Sequence, residues 1–142
     1  DAVRAYRLAR DGRRTVLLNL PLDVQEEQID WSPDLVPDIA PRLAAGPSPE
    51  AVSRLADLLE KAERPVLVGG RGAFGAKAEI RALAAKAGAL LTTSAVGRGL
   101  FNQDPWHLDV MGGFASPVTA ELVQGADVVV AFGASLSRIR QI

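Results

Sequence analysis

The sequence predicts an α/β fold whose parallel sheet carries helices on both faces, a three-layer α/β/α arrangement. Three observations carry that prediction. Pro65-Val66-Leu67-Val68 is a short apolar, β-branched run, the signature of a strand buried on both faces. Two more such runs follow, Ala89-Leu90-Leu91-Thr92-Thr93 and Asp127-Val128-Val129-Val130-Ala131-Phe132. Helical patterns precede each of the three, and strands alternating with helices mean βαβ units with right-handed crossovers.

Residues 1–14 read as a helix, with Val3, Tyr6, Leu8 and Ala9 apolar among Arg4, Arg7 and Arg10, ending at Gly12. Thr15-Val16-Leu17-Leu18-Asn19-Leu20 reads as a strand stopped by Pro21. One helix and one strand cannot enclose a core, so this pair is expected to be the end of something larger. The first residue is Asp1 rather than Met, which fits a segment upstream.

Residues 21–49 change character. Pro21, Pro33, Pro37, Pro41, Pro47 and Pro49 exclude regular structure over most of the span. Asp23, Glu26, Glu27, Asp30, Asp34 and Asp38 face no base between Pro21 and Pro41, as in an extended, solvated linker. Trp31 either anchors that linker on a domain surface or is a simple hydrophobic plug.

A second unit begins at Ser48, a good N-cap, followed by Pro49 at the first helical position and Glu50 on the dipole. Val52, Leu55, Ala56 and Leu59 then fall on one face. After the strand at Pro65 comes a glycine-rich turn, and a helix from about Ala76 turns Ile80, Leu83, Ala84 and Ala87 inward, with Gly88 as its stop. Residues 94–116 read as a long irregular stretch rich in glycine, a length that in a compact domain is often functional. Ser116-Pro117 opens a third helix with Val118, Leu122 and Val123 facing in, before Gly125 and the third strand. Three strands are few for a sheet of this class. The fold is therefore expected to be cut short at its C-terminus.

The glycine-rich turn is the most suggestive stretch. Gly70-Arg71-Gly72-Ala73-Phe74-Gly75 fits G-x-G-x-x-G between a strand and a helix, where free N–H groups at a helix N-terminus face a phosphate. The acid that should follow some twenty residues later to hold a ribose is missing, and Leu91-Thr92-Thr93 stands there instead. That leaves two readings, a phosphate-binding turn and a structural glycine turn, and speaks against a standard NAD site. Arg71 is the one charge in the turn; it either pairs with a phosphate or is an exposed turn residue. Beyond the strand ends, Gly69–Gly72, Thr92–Ser94 and Gly133–Ser135 border the position where open parallel sheets hold ligands.

Composition narrows the function classes. The 142 residues are 48% hydrophobic, enough for a core, and 23% charged. Sixteen basic against seventeen acidic residues leave a net charge of −1, so no basic field exists to draw nucleic acid. No apolar run approaches a membrane span and no signal-peptide pattern opens the chain. With no cysteine there are neither disulfides nor thiolate metal sites, in keeping with a cytoplasmic location. His107 is the one histidine, without the partners that a metal or triad site requires. Ser116 lacks the G-x-S-x-G elbow, and Asp104 and Asp109 either face a cleft or are solvated, as paired acids in a loop usually are. The residues offer no catalytic set and no metal site.

Several stretches in succession resemble one family. Val16–Gln25, V-L-L-N-L-P-L-D-V-Q, is similar to the end of the pyrimidine-binding domain in thiamine-diphosphate-dependent enzymes of the acetolactate synthase, benzoylformate decarboxylase and oxalyl-CoA decarboxylase kind. R-P-V-L-V-G-G-R-G-A, T-T-S-A-V-G-R-G-L-F-N-Q-D-P and A-D-V-V-V-A-F-G-A-S-L resemble, in order, their central domain. The resemblance implies a Rossmann-like central domain of the DHS-like NAD/FAD-binding type, between a pyrimidine-binding and a pyrophosphate-binding domain. Thiamine diphosphate and Mg2+ would belong to those outer domains in the parent enzyme, mostly across a dimer interface, and would not be bound by this chain.

The same resemblance implies a division into residues 1–22, a helix–strand remnant of the pyrimidine-binding domain; residues 23–47, a Pro-rich acidic linker; and residues 48–142, an incomplete central domain. Gly70, Arg71 and Gly72 match the turn that approaches FAD in acetolactate synthases or ADP in oxalyl-CoA decarboxylase, where a Lys stands at the place of Arg71. The parent would be a lyase or transferase, a homodimer or homotetramer, that decarboxylates or carboligates a 2-oxo acid, and the fragment alone would not be catalytic. Two other readings stand beside it: a free-standing nucleotide- or flavin-binding Rossmann module, and a purely structural domain bridging two catalytic ones.

Overall fold

The computed structural model describes residues 1–40 and 45–136. The chain divides into two compact units, Asp1–Gly46 and Pro47–Ile142.

In the first unit, helix α1 (Ala2–Gly12) forms as its apolar spacing predicts and closes on Arg13 in the left-handed region (φ 47°). The Arg10 guanidinium lies 5.3 Å from the centre of the Tyr6 ring and donates to the carbonyl of Ala40 at 3.1 Å. The predicted strand over residues 15–20 does not form, because no neighbouring strand in this unit offers it a ladder. The proline-rich stretch is more ordered than its composition suggests. A short helix α2 (Leu22–Glu26) starts behind Pro21, and a 3-10 turn spans Pro33–Leu35, capped by the Ser32 hydroxyl. Proline at or before the first helical position is compatible with both. Trp31 is exposed and plugs nothing within this unit. No described residue of the unit is buried, so it has no core of its own.

Among its described residues, the second unit forms a four-stranded, all-parallel sheet in the order β3-β2-β1-β4, flanked by helices. Helix α3 (Pro49–Lys61) starts as expected, with the Ser48 hydroxyl accepting the Ala51 N–H at 3.2 Å and Pro49 in the first turn. Its inward stripe is narrower than predicted: Leu59 is buried and Leu55 half-buried, whereas Val52 and Ala56 are exposed. Strand β1 (Pro65–Gly69) is buried along its whole length, as a central strand covered on both faces must be. Helix α4 (Lys77–Ala87) buries Ile80 and Ala84, and Gly88 (φ 62°) closes it in a left-handed cap. Strand β2 (Leu90–Thr93) follows.

A fourth strand, β3 (His107–Val110), lies inside the stretch that reads as an irregular loop. It is short and carries two polar residues, and its pairing with β2 slips by a residue between Leu91 and Thr93. Asp109 absorbs that bulge with φ 63°. Helix α5 (Pro117–Gln124) begins at the predicted cap, the Ser116 hydroxyl accepting the Thr119 N–H at 3.1 Å. It meets the sheet by a different face from the predicted one. Thr119 is buried, while Val118 and Leu122 are exposed, because apolar spacing alone does not say which stripe a polar anchor will pull inward. Strand β4 (Val128–Phe132) pairs with β1 over five positions.

The core lies between α3, α4 and one sheet face: Leu59, Leu67, Ile80, Ala84, Leu91 and Phe101 are its members, with Val130 and Phe132 packed on its border. The β1–α4–β2 and β3–α5–β4 crossovers run in opposite senses across the sheet. Right-handedness therefore assigns α4 and α5 to opposite faces, the predicted three-layer arrangement.

Candidate functional site

Strand order reverses between β1 and β4, so the crevice where an open parallel sheet would hold a ligand lies beyond Gly69 and Phe132. The sequence-predicted residues Gly70, Arg71 and Gly72 are all there. The turn does not open directly into an α-helix. Arg71–Ala76 is a 3-10 segment, and α4 starts only at Lys77. The Gly70 N–H donates to the Phe132 carbonyl at 2.8 Å, extending the β1–β4 ladder by one rung, and the Gly72 N–H donates to the Gly133 carbonyl at 3.1 Å. The Ala73 N–H donates back to the Gly70 carbonyl at 3.0 Å. The N–H groups of Gly70, Gly72 and Ala73, which a phosphate turn would aim at its anion, are thus taken up by main chain.

Steric contacts explain the glycines. A Cβ on Gly70 would stand 2.6 Å from the Ala134 Cα, and one on Gly72 would stand 2.9 Å from the Gly133 Cα. Gly133 itself has φ 59°, a conformation that side chains disfavour, and a Cβ there would lie 2.5 Å from the Gly72 Cα. Gly97 closes the other flank, its would-be Cβ 2.5 Å from the Gly69 carbonyl oxygen. Gly75, the third glycine of the pattern, has open space around it. Arg71 is exposed, and among the described residues its guanidinium has no side-chain hydrogen bond or ion pair.

The β2–β3 end of the crevice is built from hydroxyls. Thr92 and Thr93, both fully buried, donate to the Asp109 carbonyl at 2.9 and 3.3 Å, and the Thr119 hydroxyl donates to the Leu108 carbonyl at 2.6 Å. The threonines at the place of a ribose-binding acid are therefore structural ties to β3. Their role was hidden in the sequence because their partner strand was not legible. A shallow groove of about 370 Å³ opens nearby between Ala95, Arg98, Asp109, Val110 and Phe114, and the Arg98 guanidinium faces the Asp109 carboxylate at 3.5 Å.

Asp104 is not a free loop acid. Its carboxylate accepts the Arg81 Nε–H at 2.7 Å and the Trp106 N–H at 3.1 Å, fastening the loop to α4. The Arg81 guanidinium is the main cause that holds this carboxyl below the ordinary aspartate range. Asp127 is held low too, chiefly by the Glu63 N–H at 2.6 Å, with the Arg64 N–H at 3.0 Å adding to it. His107 stands edge-on to Phe101, with ring centres 6.0 Å apart, and burial pushes its imidazole below the usual histidine value. Among the described residues no three His, Cys, Asp or Glu side chains gather to hold a metal ion, and no helix is long and apolar enough to cross a membrane.

The family described as "Thiamine pyrophosphate enzyme, central domain" matches residues 52–142. The acetolactate synthase large subunit of Parasynechococcus marenigrum (strain WH8102) is 32% identical over 138 residues, covering 92% of this chain and 22% of that protein. The probable 2-ketoarginine decarboxylase AruI of Pseudomonas aeruginosa is 33% identical over 138 residues, covering 94% and 24%. Glyoxylate carboligase of Escherichia coli O157:H7 is 37% identical over 76 residues, covering 53% and 13%. The chain thus spans less than a quarter of the length of these relatives.

Proposed function

Because this chain belongs to the thiamine pyrophosphate enzymes, through their central domain, we propose that it is the structural middle domain of an enzyme that decarboxylates or carboligates a 2-oxo acid. In this reading thiamine diphosphate and Mg2+ are held by a pyrimidine- and a pyrophosphate-binding domain of the parent enzyme, a cytoplasmic homodimer or homotetramer. Residues 1–22 then belong to the pyrimidine-binding domain and residues 23–47 form the linker. The groups present here do not fit a thiamine diphosphate site, since the described residues hold no set of carboxylates or histidines for its metal.

One observation carries the structural role: the N–H groups of Gly70 and Gly72 are bound by the Phe132 and Gly133 carbonyls. A turn whose donors are consumed by its own sheet has little to offer a phosphate. Calorimetric titration of the chain with thiamine diphosphate and Mg2+, and separately with ADP and FAD, is expected to show no saturable binding. Micromolar binding of thiamine diphosphate would end this reading.

A second reading, an adenine-nucleotide site for FAD or ADP at Gly70, Arg71 and Gly72, has one feature in its favour. Arg71 is exposed at the start of the 3-10 segment after β1, with its charge uncommitted among the described residues. Such a site would rest on the guanidinium rather than on the main chain. It requires a thermal shift with ADP or FAD that disappears in Arg71→Ala.

A further inference from the structure

We propose that β3 is a pH-sensitive latch at the sheet edge: proton uptake by His107 opens His107–Val110 while β1, β2 and β4 stay paired. His107 is the first residue of an edge strand, and its ring packs against Phe101, a residue with no exposure at all. The imidazole Nε2 is buried and has no hydrogen-bond partner. A neutral ring tolerates this as an acceptor left idle. A protonated ring cannot, because Nε2 then carries an N–H and a share of the positive charge, and both need an acceptor or water.

The charges around the ring do not remove this penalty. Asp109, Asp104 and the Asp109 main chain beside the ring all favour the protonated form, but burial outweighs them. Asp104 is already engaged by Arg81 of α4 and by the Trp106 N–H, and Asp109 is turned toward Arg98. From β2 the residue paired with His107 is the uncharged Leu91. Opening the strand wets the imidazole and lets it titrate normally.

The rest of the sheet is built to survive that opening. Among the described residues β3 pairs with β2 alone, through a register broken at Asp109, so releasing it strips no other described strand of its ladder. Opening frees the carbonyls of Leu108 and Asp109, and with them the hydroxyls of Thr92, Thr93 and Thr119. Proton uptake at one edge residue therefore reaches the carboxyl end of β2 and the first turn of α5.

The open state binds the proton more tightly than the closed one, so lowering the pH favours opening, about tenfold for each unit between the two pKa values. His107 is the one histidine of the chain, so a single imidazole signal reports its titration by NMR. Hydrogen exchange of the chain, corrected for intrinsic rates, would be compared at about pH 7.5 and about pH 5.5. Amides of residues 107–110 are expected to open more at the lower pH, by up to about tenfold, along the titration of His107, while those of residues 66–68 change much less. In His107→Phe, which keeps an aromatic ring beside Phe101, and in His107→Gln, the excess opening of 107–110 should vanish. An imidazole titrating at or above the ordinary histidine value would overturn the proposal. So would opening of residues 66–68 in step with 107–110, or excess opening that persists in a folded variant. If neither variant folds, the wild-type imidazole titration and its coincidence with the opening of 107–110 decide the matter.

Discussion

The Gly72 N–H donates to the Gly133 carbonyl at 3.1 Å, and each of the two glycines lies where a Cβ on it would run into the main chain of the other. The pair joins the turn after β1 to the turn after β4. Gly133→Ala should cost about 2–4 kcal/mol, combining a left-handed residue with a steric collision. Gly72→Ala should cost somewhat less, since the strain there is collision alone. Gly75→Ala meets open space and should fall within about 1 kcal/mol of the wild type, on the stabilising side. Urea unfolding of the three variants checks the ranking. Equal tolerance at all three positions would mean that the two turns are not in contact.

The Thr119 hydroxyl is the tie between α5 and β3. Thr119→Val keeps the shape and removes the donor, leaving the Leu108 carbonyl without it, at a cost of about 1–3 kcal/mol. Ser116→Ala removes the cap of the same helix and should cost about 1 kcal/mol. The two residues share a hydrogen-bond network, so the double variant should lose less than the sum. A fully additive double-mutant cycle would show that they act separately.

Asp104 and Asp127 contribute to stability on the acid side. Both carboxyls are held below their unfolded values, so their contribution is complete above about pH 4 and fades as pH falls through the lowered folded-state pKa. Asp104→Asn should cost about 1 kcal/mol at neutral pH, a figure kept low by the half-open, screened position of Arg81. It should also flatten the stability profile below about pH 4. A profile as steep as that of the wild type would assign the acid sensitivity to other carboxylates.

Arg71→Ala should leave the unliganded chain within about 0.5 kcal/mol of the wild type, as expected for an exposed turn residue. If ADP or FAD does bind through the guanidinium, the same change should weaken binding by about 1.5–3 kcal/mol. Binding that survives it unchanged would place any nucleotide elsewhere.

How far the sequence could be read depended on where the ordering information lay. Central elements were legible: β1 as a β-branched run, α4 from its apolar spacing and Gly88 stop, and the caps at Ser48 and Ser116. Edge elements were not. The stretch Trp106-His107-Leu108-Asp109-Val110 alternates between Pro105 and Gly112, but a four-residue strand with a bulge owes its existence to Thr92, Thr93 and Thr119 reaching for its carbonyls. The converse held at residues 15–20, where a fluent strand pattern found no partner. At the candidate site, the glycine pattern located the turn, while its role lay in Gly133, more than sixty residues away, whose carbonyl takes the donor at Gly72.

The two edges of the sheet differ in a way that bears on solubility. On one side, the kink at Asp109 and the charges of Arg98 and Asp109 blunt β3 against edge-to-edge pairing. On the other, β4 runs Val128–Phe132 without a bulge, a proline or a charge, and among the described residues no strand pairs with its outer edge. Among the described residues, β4 is therefore the edge less protected against self-association of this chain in concentrated solution. Val129→Lys, at a residue already 46% exposed, is the change that would discourage it.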